Sequence, residues 1–317
     1  MTNLKALLVT GVRVAALLLP AAITHSQTID NARAYALANQ LADELELVRE
    51  RMGAPYDDSP RLPVSAVTEV ELYFHTQALL RKANQLAQEL AGAPGAEGPT
   101  PSSPFGDFQG SSGEIGADDV YALLEAALAQ IRVAAEAVGI TERATFEQRV
   151  TSIAPTGVFL VVIDANRQLN HMLRVPIGDA EVFEEVSSAI SYAAALLATY
   201  PGATPVPEAP AFDGYKRPAD VYQRLTECLD AVIRVAPKIG VPVLGLSPRR
   251  NVPDDTESGH AYDIARFLVA DLAAFAAARD ATLGRATLPA PKHIFPTEVY
   301  LRAGILLRQL EELERRL

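Results

Sequence analysis

The chain has 317 residues, 49% of them hydrophobic, with 28 basic and 39 acidic side chains and a net charge of −11. That is too apolar for a disordered chain and too acidic for a plain nucleic-acid binder, which works by neutralising phosphates; its single cysteine excludes a disulfide scaffold. No tryptophan and only 6% aromatics leave a core of Leu, Ala, Val and Ile, sizeable enough for one large or two modest domains.

Residues 1–26 read as a secretory signal. Lys5 and Arg13 supply positive charge, residues 15–23 form an apolar run with Pro20 in it, and Thr24 and Ser26 are small residues suited to a cut before Gln27. The run is short for a membrane span of ~20 residues, and Arg13 interrupts the apolar stretch. No cysteine follows, so lipoprotein processing is not indicated. Cleavage near Ser26 predicts a periplasmic or secreted bacterial protein, residues 27–317, with its charge shifted from −11 to about −13. No later segment approaches ~18 uninterrupted apolar residues, so no transmembrane segment is expected in the mature chain.

Apolar residues at helical spacing then recur to the end of the chain, in segments rich in Ala, Leu, Glu, Gln and Arg. Residues 34–48, 120–138, 221–235 and 299–317 are the clearest. Residues 91–118 are Gly-, Pro- and Ser-rich and read as a flexible loop within a single domain. The strand-like run 158–163 sits in the same pattern as the other helix starts and is read as a helix too. Cys228 falls in an apolar-periodic stretch and is expected in the core.

A small or β-branched residue followed by an aromatic opens most of these helices. The aromatics are Tyr35, Tyr121, Phe159, Phe183, Tyr222, Tyr262 and Tyr300; an eighth helix opens near Val70. The helices alternate between an A kind, starting near 34, 120, 182 and 261, and a B kind, near 70, 158, 221 and 299. A-to-B spacings are 36, 38, 39 and 38 residues, whereas B-to-A spacings are 50, 24 and 40. Near-constant spacing within a unit and free spacing between units predict four A–B repeats. Arg167-Gln168-Leu169 and Arg308-Gln309-Leu310 extend the correspondence, lying at one offset from Val158 and Val299. The expected fold is all-α: eight helices as four two-helix hairpins, in a bundle or short α-solenoid, with long Pro-rich loops packed in extended form along the helix ends.

Standard catalytic, phosphate-binding and dinucleotide motifs are missing, and the histidines show no ligand spacing, so neither an enzyme nor a metal or cofactor is expected. The acid pairs Glu184-Glu185 and Glu311-Glu312 read as solvated faces. Each A-to-B loop carries a cation before its B helix: Arg61, Arg149, Lys216 with Arg217, and Lys292 beside His293. Gathered at one end near helix N-termini, these residues would favour an anion or an acidic partner; paired with nearby acids they would be structural. The helix-start aromatics are expected to pack between helices. The sequence therefore predicts an exported, non-enzymatic binding or scaffolding protein for a protein or small-molecule partner. The alternative is a carrier enclosing an apolar molecule or lipid between its helices.

Overall fold

The structure is a computed structural model that describes residues 30–57, 63–96, 115–145, 152–246 and 256–317, except 283, 285, 287 and 290. The signal segment, Arg61 and Arg149 lie outside the described residues. The eight helices are α1 (Asn31–Met52), α2 (Glu69–Ala91), α3 (Ala117–Ala137), α4 (Pro155–Met172), α5 (Asp179–Ala198), α6 (Pro218–Ile239), α7 (Ser258–Ala278) and α8 (Pro296–Arg316). Two short strands, β1 (Val64–Ser65) and β2 (Gly245–Leu246), pair antiparallel.

The recurrent helix start has a local cause. In α3, α5, α6 and α8 the acid before the Val caps the chain: the N–H groups of Gly116, Gly178, Arg217 and Phe295 donate to Asp119, Glu181, Asp220 and Glu298 respectively. The next residue, Val120, Val182, Val221 or Val299, is then carried into the core. In α7 the same place is taken by His260, whose Nδ1 accepts from the N–H of Glu257 at 3.0 Å.

The helices close into two four-membered rings. In the first, α1 packs on α3 and α4, and α2 also packs on α3 and α4; in the second, α5 and α6 each pack on α7 and α8. The two helices of an A–B unit are therefore diagonal partners across a bundle, not the side-by-side hairpins expected from their spacing. Within each ring the helices run parallel. Arg33 lies over Tyr121 and Arg132 bonds Glu44, so early residues of α1 meet early residues of α3 and late residues meet late. Val67 bonds Thr156 and Lys82 bonds Asn166, which aligns α2 with α4 in the same way. The second ring repeats this: Ser258 meets Asp179, Arg302 covers Phe183, and Arg234 meets Glu314.

Parallel neighbours need long returns. A helix of 22 residues is roughly 33 Å long, which roughly ten extended residues can retrace. The connections at 53–68, 138–154, 199–217, 240–257 and 279–295 all exceed that length. The loop at 199–217 shows its course. Pro201 and Gly202 accept from Arg316, Pro205 accepts from Gln309, Glu208 accepts from Arg308, and Lys216 donates to Thr297. This strap descends α8 from its end to its start. It covers the length of the helix and not only its end, where the sequence places it.

The first bundle has a corresponding strap over α4. Asp57 exchanges two 3.2 Å hydrogen bonds with Gln168, and Val67 donates to Thr156. Gln168 and Gln309, which lie at one offset from Val158 and Val299, thus hold the top of each strap, and Thr156 and Thr297 hold the bottom. Only the link at 173–178 is short among the connections, and it turns the chain over. The second bundle consequently runs opposite to the first: in the α2–α7 contact Arg266 meets Phe74 while Tyr262 meets Arg81.

Candidate functional site

A buried polar cluster lies where the bundles meet, built from α2, α4, α5 and α7. Arg266 donates to both carboxylate oxygens of Glu185, at 3.0 and 3.2 Å, and to the carbonyl of Phe74. Its guanidinium also lies 5.2 Å from the Phe74 ring centre. The Tyr262 hydroxyl accepts from Arg81 and donates to Glu185 at 3.2 Å; burial pushes its pKa up. Lys82 donates to the carbonyl of Asn166 at 2.9 Å, and Asn166 donates to the carbonyl of His75 at 3.0 Å. Arg167 meets Asp263 at 3.3 Å.

Burial sets the electrostatics. It lowers the Lys82 ammonium from its usual 10.5 to about 8, against the opposing pull of Asp263. His75 is held neutral by burial and by the cations Arg266, Lys82 and Arg167. Its ring sits 4.6 Å from Phe267 and 5.1 Å from Phe159. Three buried atoms in this cluster have no hydrogen-bond partner among the described residues: His75 Nε2, Asn166 Oδ1 and Arg266 Nε. Glu185 corrects the expectation of a solvated acid pair. Its helix face turns to α7, where Arg266 compensates the buried charge, while Glu184 is exposed.

Of the cations singled out from the loops, Lys216, Arg217, Lys292 and His293 are among the described residues, and they sit apart from this cluster. Because the bundles oppose one another, the starts of α2 and α4 face one end of the molecule and those of α6 and α8 face the other. The helix starts therefore do not gather at one end. Around the start of α8, Lys216 pairs with Asp213 at 2.9 Å and lies 4.6 Å from the Tyr300 ring centre. Arg217 caps α6, its side chain exposed and 3.9 Å from Asp220. Lys292 and His293 lead into α8, with the His293 ring 6.4 Å from Phe295.

Large apolar rings stand out in water at this same end. Tyr215 is 94% exposed, Phe295 60% and Phe212 59%. Phe212 and Tyr215 meet edge-on at 5.8 Å, and the N–H of the following residue, Lys216, bonds Thr297, two positions after Phe295.

The helix-start aromatics divide between roles. Phe159, Phe183, Tyr222 and Tyr262 are buried, whereas Tyr35, Tyr121 and Tyr300 are half-buried. Arg302 covers Phe183 at 4.1 Å, and Arg224 covers Tyr300 at 4.3 Å. They do not form one layer, because the two bundles place them at opposite ends.

Open clefts lie on the surface of the described residues, two of them of measurable size. One, of about 420 Å³, is lined by Leu47, Glu50, Arg51 and residues 139–142; the other, of about 280 Å³, lies between the strap and the end of α8. Both are edged by charged side chains. Among the described residues no group of three or more His, Cys, Asp or Glu is arranged to hold a metal, and no helix is long and apolar enough to cross a membrane. Compared with protein-family models, with curated proteins and with solved structures, the chain matches none.

Tyr262, Glu185 and Arg167 entered the sequence reading only as parts of other patterns, and Lys82, Asn166, Asp263 and Arg266 escaped it because their partners lie on other helices. One signal was available: Asp263, Arg266 and Asp271 interrupt a helix that is apolar on nearly every face. Such a helix is enclosed on all sides, so its charges need buried partners.

Proposed function

We propose that this chain is an exported, non-enzymatic binding protein whose recognition end is the exposed aromatic and basic surface at the start of α6 and α8. The observation that carries the reading is the exposure of Phe212, Tyr215 and Phe295 on the two cation-bearing segments, 212–217 and 292–295, that the Lys216–Thr297 bond ties together. Grouped exposed rings are characteristic of interaction sites, and flanking cations suit a partner with acidic groups beside an apolar face. The parallel helices beneath supply a rigid platform, and the two strap fastenings fix the loop that carries two of the three rings. Secretion follows from the N-terminal segment. The recurrence of the A–B spacing is read as repetition of a helix–strap–helix unit, each helix pair spanning its bundle diagonally.

The test is recovery of material bound to the native protein from its exporting organism, by mass spectrometry, with and without Tyr215→Ala, Phe212→Ser and Phe295→Ser. A partner lost in this triple variant, but kept when the remote exposed Val175 is changed to Ser, supports the assignment. Equal recovery in both variants sinks it.

A further inference from the structure

The main helix-to-helix contact between the bundles, α2 on α7, carries two carboxyl groups face to face. The antiparallel register that sets Phe74 against Arg266 and Arg81 against Tyr262 also sets Glu71 against Asp271, and the two are only 1% and 2% exposed. Two ionised carboxylates cannot share a dry contact of this kind; one must keep a proton.

The surroundings decide which. Glu71 accepts from the N–H of Leu244 at 2.8 Å and from the N–H and the hydroxyl of Thr68, each at 2.5 Å. Those donors stabilise an anion at Glu71. Asp271 has only Glu71 acting on it, and its Oδ2 lacks a partner among the described residues. No cation of α5, α6 or α7 contributes at Asp271, and from α2 the facing charge is Glu71 itself. Asp271 is thus the group that holds the proton and donates it to Glu71.

The pair is also wired to the strand clasp. Leu244 immediately precedes β2, which pairs with β1 just upstream of α2. From this juxtaposition we infer that Glu71 and Asp271 form a proton-operated latch between the two bundles, closed while one proton is shared and released when that proton leaves. Release affects the α2–α7 contact and the clasp together, because Glu71 belongs to both.

The direction is fixed by linkage. Burial first, and Glu71 second, raise the Asp271 pKa well above the carboxylate range. The folded chain therefore holds the proton after the unfolded chain has lost it, and junction stability falls as pH rises from the ordinary carboxylate range through the folded value.

Hydrogen exchange with mass spectrometry on the full chain tests this, each rate being divided by the intrinsic rate at the same pH. Between about pH 5 and about pH 8, protection of residues 64–75 and 244–246 should fall by about tenfold or more, the effect of one unit of separation between two pKa values. Residues 225–236, in the α6 core, should not follow. Asp271→Asn cannot ionise but still donates to Glu71, so its protection should stay level. If Asp271→Asn does not fold, Glu71→Gln serves: it accepts from Leu244, donates to an ionised Asp271, and should likewise remove the fall. No fall in the native chain, or a fall of equal size in either folded variant, overturns the latch.

Discussion

Replacing Gln309 with Leu should detach the upper end of the strap over α8. Gln309 is fully buried, and its Nε2 donates to the carbonyls of Pro205, at 2.5 Å, and Ile190, at 3.2 Å. Leucine fills a similar volume but donates nothing. Two hydrogen bonds at about 1 kcal/mol each are lost, and two carbonyls of the interior are left without their donor, at about 1–3 kcal/mol if they stay dry. One term opposes this: Gln309 Oε1 itself has no partner, so its removal relieves a desolvation cost. The expected net loss is about 2 kcal/mol. Urea unfolding gives the total, and proteolysis within residues 201–216 locates it. Thr297→Val removes the lower fastening, the 3.0 Å bond from Lys216, and should cost about 1 kcal/mol. The two sites are 12 positions apart on one helix, roughly 18 Å, so their effects should add. An unchanged urea midpoint in Gln309→Leu, with no new cleavage in the strap, would refute the idea that these bonds hold it.

Other perturbations have equally definite outcomes. Arg266→Met leaves Glu185 buried without its cation and should cost about 3–5 kcal/mol in urea unfolding, most of it recovered when Glu185→Leu is added. Lys82 holds its proton less tightly folded than unfolded, so stability should rise as pH increases from about 8 towards 10.5, by roughly 3 kcal/mol in all. Lys82→Met should abolish that slope in a pH series of unfolding curves. Gly304→Ala ought to gain about 1 kcal/mol from helix propensity. Its new Cβ would lie 2.6 Å from the Pro210 ring, however, and the net change should be a loss, read as a lower melting temperature. Cys228 is fully buried and its thiol pKa is pushed up by desolvation, so thiol reagents should label it only as the chain unfolds.

The helices themselves were legible because their starts are announced locally, most fully in α3, α5, α6 and α8: an acid to cap, a Val to bury, a ring to pack. Cys228 was placed correctly in the core, and the run at 158–163 correctly in a helix. The hairpin pairing was misread because constant spacing fixes only how long a connection is, not whether the chain turns back or returns to its starting level. About sixteen extended residues are enough to retrace a helix, so the next helix runs parallel to the last. The equivalence of Gln168 and Gln309 was visible as a pattern, but its meaning depends on strap carbonyls brought from elsewhere in the chain. The junction charges were least legible: Lys82 and Asn166 are 84 positions apart, and nothing near either in sequence names the other.

The parallel course of the helices has one further consequence. Four aligned helices add their macrodipoles, so each bundle taken alone has a positive face at its helix starts and a negative face at its ends. The acids at the first turns of α2, α3, α5, α6 and α8, and the bases at the last turns of α1, α6 and α8, offset part of this field. The short link at 173–178 cancels much of the remainder by setting the second bundle against the first. Each half is thus the electrostatic counterweight of the other, and a bundle expressed alone would expose an uncompensated dipole on top of its bare junction face.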